Sequence, residues 1–175
     1  MRYNRAILLG ICALMAAVIF APGCGNPAQA PEVDDAAQQQ AREHVLKGIS
    51  YFSQKQWDES IAEYTRAIEI DPNLAAAYSN RGSAYGEKGD YDKAVAEYSM
   101  AIKLAPKLAD TYRNRGIAYG KKGDYDKAIA DFDTVIALNT EDALAYYNRG
   151  AAYDKKGEKA KAEADFAKAK ELGLK

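Results

Sequence analysis

Few side chains here can make or break a covalent bond. The 175 residues include one histidine, His44, and two cysteines, Cys12 and Cys24. Acid–base or nucleophilic catalysis needs such groups in partnered sets. Cys12 sits inside the apolar run "AILLGICALMAAVIF" and Cys24 follows its end, so no constellation presents itself and no catalytic residue is expected. The two "GDYD" stretches, at 89–92 and 123–126, hold acids but lack the further spaced acids and closing glutamate of a calcium loop. They read as turns with caps, and neither metal nor cofactor is expected. "GSAYGEKG" at 82–89 is glycine-rich, yet no strand precedes it and no Lys-Ser or Lys-Thr pair follows, so it does not cradle phosphate. What remains is recognition, and with it the elements that would hold a binding surface.

The chain opens with Arg2 and Arg5, the apolar run, and then "APGC". A basic start, an apolar stretch and a small-residue ending describe a secretory signal over residues 1–23. Its close resembles the lipobox of bacterial lipoproteins. That resemblance implies acylation of Cys24 as the mature first residue; Gly23 fits it, while Ala21 and Pro22 depart from it. The alternative is an uncleaved anchor, since Ala6 to Gly23 reaches the lower limit of roughly 17–18 residues for a spanning helix. In either case the basic residues stay cytoplasmic and the rest is exported. Gly25 lacks the aspartate that signals inner-membrane retention in some bacteria, which points to an outer-membrane lipid anchor facing the periplasm. An uncleaved helix would instead place the protein in the inner membrane.

Without residues 1–23 the chain carries 22 basic and 25 acidic residues, a formal charge of about −3, which argues against nucleic acid as a partner. The mature domain also has no thiol beyond Cys24. Residues 25–40, "GNPAQAPEVDDAAQQQ", are polar and proline-bearing, too poor in apolar surface to fold alone. With Cys24 they form a tether, 24–40, of roughly 20–25 Å. Asp34-Asp35 suits the start of the first helix.

From Ala41 the chain repeats every 34 residues: Gly48, Gly82, Gly116, Gly150; Tyr51, Tyr85, Tyr119, Tyr153; Tyr64, Tyr98, Phe132, Phe166. Residues 80–99 and 114–133 share fourteen of twenty positions. Apolar and small residues recur at helical spacing on either side of Gly89-Asp90, so each unit is two helices and a turn. Gly89, Gly123 and Gly157 suit the left-handed position after a helix, Asp92 and Asp126 are read as caps of the next helix, and Pro72 and Pro106 stop it. Gly82 and Ala94 are small where the paired helices approach; Tyr85 and Tyr98 fill the space beside them. His44 occupies the slot of Tyr78, Tyr112 and Tyr146 and reads as a packing residue. Arg81, Arg115 and Arg149 form an apparent basic stripe, but the recurring acids Glu63, Glu97, Asp131 and Asp165 suggest pairing within the stack. Lys159 replaces an aromatic in the last copy, letting the final helix cap the array. Thr140 stands where a third proline is expected.

The period and size pattern resemble the tetratricopeptide repeat over residues 41 to 174. The resemblance implies an all-α, right-handed superhelical solenoid of four helix-turn-helix units, eight helices in all, over 41–74, 75–108, 109–142 and 143–175. It also implies a non-enzymatic adaptor whose first helices line a concave peptide groove. The groove position that often bears asparagine is filled by Asn80, Asn114 and Asn148, with Leu46 in the first copy. An asparagine amide matches one backbone N–H and one C=O of a strand whatever its sequence. Three such rungs supply only about millimolar affinity. Flanking positions carry Ser79 and Ser83, Arg113 and Ile117, Tyr147 and Ala151, with Glu87, Lys121 and Lys155 further along. Alternatively, the asparagines tie neighbouring first helices together. Relatives that grip a terminal carboxylate do so with basic and amide groups where this chain has Val45, Ile49 and Asn148, so that specificity is not expected. The expected partner is a peptide segment or helix of an envelope protein, with no small-molecule substrate. A self-associating scaffold built by end-to-end stacking is the alternative.

Overall fold

The computed structural model describes residues 35–174. The signal segment 1–23, Cys24 and tether residues up to 34 lie outside the described residues. Among the described residues there are eight helices and no strand: α1 (Asp35–Ser53), α2 (Trp57–Ile70), α3 (Ala75–Glu87), α4 (Tyr91–Leu104), α5 (Ala109–Lys122), α6 (Tyr125–Leu138), α7 (Ala143–Lys155) and α8 (Lys159–Glu171). None is long and apolar enough to cross a membrane. Because α1 begins at Asp35, residues 35–40, expected in the tether, belong to the first helix.

Turn chemistry sets where each helix stops. Gly89, Gly123 and Gly157 have φ of +80°, +84° and +80°, the left-handed region open to glycine. In the first unit the same corner falls on Lys55 at φ +60°, where a side chain is strained. Asp71 and Ala105 precede prolines and are driven out of the helical region, to ψ of 94° and 80°. Asn139 reaches a similar conformation, ψ 100°, with Thr140 after it. The Asn139 side chain accepts from Glu141 N at 3.1 Å, as Asp71 accepts from Asn73 N at 3.0 Å, so this turn does not depend on proline.

The expected caps are corrected by two residues. Asp90, not Asp92, holds the N-cap of α4, where its carboxylate accepts from Lys93 N at 3.3 Å. Asp124, not Asp126, holds the N-cap position of α6; its carboxylate accepts from Lys127 Nζ at 3.2 Å and not from a backbone N–H. Asp92 and Asp126 lie inside the first turn and reach the next unit, bonding Lys122 and Lys156; Asp58 bonds Lys88 in the same way.

Each hairpin closes by a glycine against a ring. A Cβ added at Gly48, Gly82, Gly116 or Gly150 would lie 2.5, 2.9, 2.8 or 3.0 Å from Tyr64, Tyr98, Phe132 or Phe166, closer than van der Waals contact permits. The core is a row of such junctions: Ala94 and Tyr98 pack on Ala118 of the next unit, and Ala128 and Phe132 on Ala152. Each hairpin therefore covers a flank of its predecessor, which makes residues 35–174 a solenoid. First helices also touch one another in the series α1–α3, α3–α5 and α5–α7, whereas successive second helices make no such contact. The first helices thus occupy the inner edge of the curve.

Candidate functional site

The inner edge is built from residues three, four and seven apart on one face of each first helix. On α3 this line runs Asn80, Ser83, Glu87; on α5 it runs Asn114, Ile117, Lys121; on α7 it runs Asn148, Ala151, Lys155.

The arginine stripe is turned away from this face. Arg115 donates from Nε and Nη2 to the Asp131 carboxylate, both at 2.8 Å, and from Nη1 to Ser99 Oγ of the preceding unit at 3.0 Å. Arg81 makes the same three-way tie to Glu97 and Thr65, and Arg149 to Asp165 and Asp133. Each guanidinium lies over a tyrosine ring, Tyr78, Tyr112 or Tyr146, at 5.7, 5.6 and 5.4 Å. The Asp131 hydrogen bond raises the Arg115 pKa against the opposing effect of burial. These arginines clamp one unit to the next.

The first unit has Lys47 at the arginine position, and its acid is met differently. His44 Nδ1 lies 2.7 Å from Glu63 Oε2, and Arg66 bonds the other oxygen. His44 is therefore a polar partner of a buried carboxylate, not only a packing residue. Burial is the largest influence on Glu63 and raises its pKa. The His44 hydrogen bond and then the Arg66 charge oppose this, and the net result lies below the ordinary carboxylate value.

The three asparagines differ from the arginines. Each is half-buried, and among the described residues none of their side chains makes a hydrogen bond. The helix-to-helix tie considered for them is absent, which leaves each amide's donors and acceptor for solvent or a ligand. Arg113 is already neutralised, by Asp110 on its own helix and by Asp142 at 2.6 Å. Ser79 Oγ lies 3.3 Å from Thr111 Oγ1. Tyr147 tilts against Phe166 with centroids 5.5 Å apart.

Five large apolar side chains on the first helices, Leu46, Ile49, Ile117, Leu144 and Tyr147, are 40% to 65% exposed. Leu144 was not singled out from the sequence, although its place two residues into α7 puts it on the groove-facing line.

Three of the expected groove residues meet in one cleft of about 470 Å³: Ser83 on α3, with Asn114 and Ile117 on α5. Glu87 and Lys121 stand on its opposite walls. Tyr91 and Tyr98 of α4, Ala118 of α5 and Phe52 of α1 also line it. Tyr98 OH donates to Ser83 Oγ at 3.1 Å; burial raises its pKa, so it remains a donor at neutral pH. Asn80, Ser79 and Arg113 share these helices without lining the cleft, and Asn148, Tyr147 and Ala151 lie one unit further on. Sequence reasoning missed Gly86, which leaves an opening in the α3 wall. The signal was a glycine in the last turn of a helix, at a position that no left-handed corner explains.

Comparison with known proteins follows this geometry. A family model described as "TPR repeat" matches residues 48–89, 82–123 and 118–157, and one described as "Tetratricopeptide repeat" matches 143–172. No curated protein sequence matches the chain. Among solved structures, a crystal structure of MamA is 28% identical with a TM-score of 0.74, covering 78% of this chain and 80% of that one. The second TPR domain of human RPAP3, solved with the HSP70 peptide SGPTIEEVD, is 27% identical with a TM-score of 0.65, covering 66% and 97%. The first TPR of Spaghetti (RPAP3), bound to the HSP90 peptide SRMEEVD, is 25% identical with a TM-score of 0.60, covering 74% and 95%.

Proposed function

Since the chain belongs to the tetratricopeptide repeat family, we propose that it is a non-enzymatic adaptor that holds a peptide segment or helix of an envelope protein along its inner groove, tethered to a membrane by lipid at Cys24. The observation that carries the groove reading is the contrast between two sets of repeated residues. Arg81, Arg115 and Arg149 are fully engaged within the stack, whereas Asn80, Asn114 and Asn148 lie beside exposed apolar side chains with unused amides.

Two similar structures hold peptides ending in EEVD. This chain has Val45, Ile49 and Asn148 where relatives that grip such an end carry basic and amide groups, and the two apolar replacements favour an internal segment over a terminal carboxylate. The tether reading is supported by the order of basic residues, apolar run, Gly23 and Cys24.

In-cell cross-linking followed by mass spectrometry, comparing the native chain with Asn114→Ala, tests the adaptor. The expected result is a reproducible envelope partner whose yield falls severalfold in the variant, while the thermal midpoint stays within about a degree. An unchanged yield alongside a large drop in midpoint would return the asparagines to a structural role.

A further inference from the structure

We propose that the cleft between α3 and α5 is the anchor pocket of the groove. It takes one large apolar or aromatic side chain of an extended peptide, with an acidic residue of that peptide on the α5 side and a basic one on the α3 side. This rests on the groove reading and adds what the ligand must look like.

Four observations converge. The cleft, about 470 Å³, falls in the range of small-ligand pockets and is far larger than one water site. Its lining mixes aromatic and aliphatic side chains, Phe52, Tyr91, Tyr98 and Ile117, with polar ones at Ser83, Glu87, Asn114 and Lys121.

Gly86 is the second. It is helical, is not in the left-handed region, and a Cβ added there would meet only Ala94 and Tyr98, both at 4.0 Å. Nothing in the fold requires glycine, which is a poor helix residue. Its effect is to leave the α3 wall open between Ser83 and Glu87.

The rim charges are the third. Glu87 and Lys121 form no ion pair among the described residues, although their sequence neighbours Lys88 and Lys122 are paired with Asp58 and Asp92. An acid and a base on opposite walls, each without a counter-charge, complement a peptide charged in the opposite order. Finally, the Asn114 amide lies beside the cleft, suited to the peptide backbone on either side of the inserted residue.

The test is selection of a phage-displayed random dodecapeptide library on the full chain in detergent, in three forms: native, Gly86→Leu and Asn114→Ala. Native protein is expected to return a consensus with Phe, Tyr, Trp or Leu at one fixed position, an acid on one side and a base on the other. Gly86→Leu, which fills the opening, is expected to cut enrichment of those peptides by about tenfold or more, the scale of one buried apolar side chain.

Gly86→Ala is the folding control and is expected to melt no lower than the native chain. Lys121→Glu is expected to abolish selection for the acid while keeping the apolar position. The pocket is overturned if selected peptides show no fixed apolar position, if Gly86→Leu returns the same consensus, or if nothing is selected. Peptides without an apolar consensus that are still lost in Asn114→Ala would sink the pocket and leave the groove reading standing. Peptides indifferent to both changes would sink both.

Discussion

At the scale of single residues, the repeated arginine is the strongest structural commitment. Both members of the Arg115–Asp131 pair are largely buried, and removing one leaves the other without its counter-charge. Arg115→Ala is expected to cost about 3–5 kcal/mol in chemical denaturation, whereas Arg115→Met with Asp131→Leu is expected to recover most of it. The sequence displayed this pairing through the recurring acids. It did not display the third bond to Ser99 of the preceding unit, because that slot, although it recurs every 34 residues, changes chemistry from Thr65 to Ser99 to Asp133. His44 was read as packing for a similar reason: the pattern reports the slot, not the acid opposite. Glu63, held by His44 and Arg66, has a folded pKa below its unfolded value. Its contribution is therefore complete above the ordinary value of 4.5 and is lost as pH falls through the lowered folded value. Thermal midpoints followed downward from about pH 6 should fall less steeply in Glu63→Gln than in the native chain over the interval between the ordinary value and the lowered folded one. Lys55 carries a side chain in a left-handed corner, and Lys55→Gly is expected to raise stability by about 1 kcal/mol, read in the same melts.

Among elements, what was legible follows from what repeats. Helix pairs, glycine corners and the glycine-on-ring closures all recur every 34 residues, and all are steric, so the spacing of small and large residues discloses them. Capping was misassigned because Asp90 and Asp92 are both acids near a helix start, and only geometry separates a cap from a first-turn residue. The displaced Asp92 bonds Lys122 across the unit boundary, but the carboxylate is exposed. Asp92→Asn is therefore expected to change stability by less than about 1 kcal/mol, in contrast to the Arg115 variant. The start of α1 at Asp35 was hidden by composition: alanine and glutamine in residues 36–40 suit a helix as readily as a polar tether.

For the molecule as a whole, terminal helices have neighbours on one side and internal ones on two. Amide exchange should accordingly release α1 and α8 before α4 and α5. Membrane attachment separates the two readings of the amino-terminal segment. Cys24→Ser is expected to abolish incorporation of labelled fatty acid and shift the protein out of the membrane fraction, while continued membrane association without label would favour the uncleaved helix. Sedimentation over rising concentration distinguishes an adaptor, with constant mass, from a scaffold that grows.

The inner helices abut from unit to unit while the outer ones stand apart. The outer helices are instead joined through the arginines, Arg115 bridging Ser99 and Asp131, so each unit is fixed to the next and Asn80, Asn114 and Asn148 fall at the same place in successive first helices. A strand laid along that edge, as the adaptor proposal requires, would meet its three amides at a spacing set by the repeat and not by its own sequence.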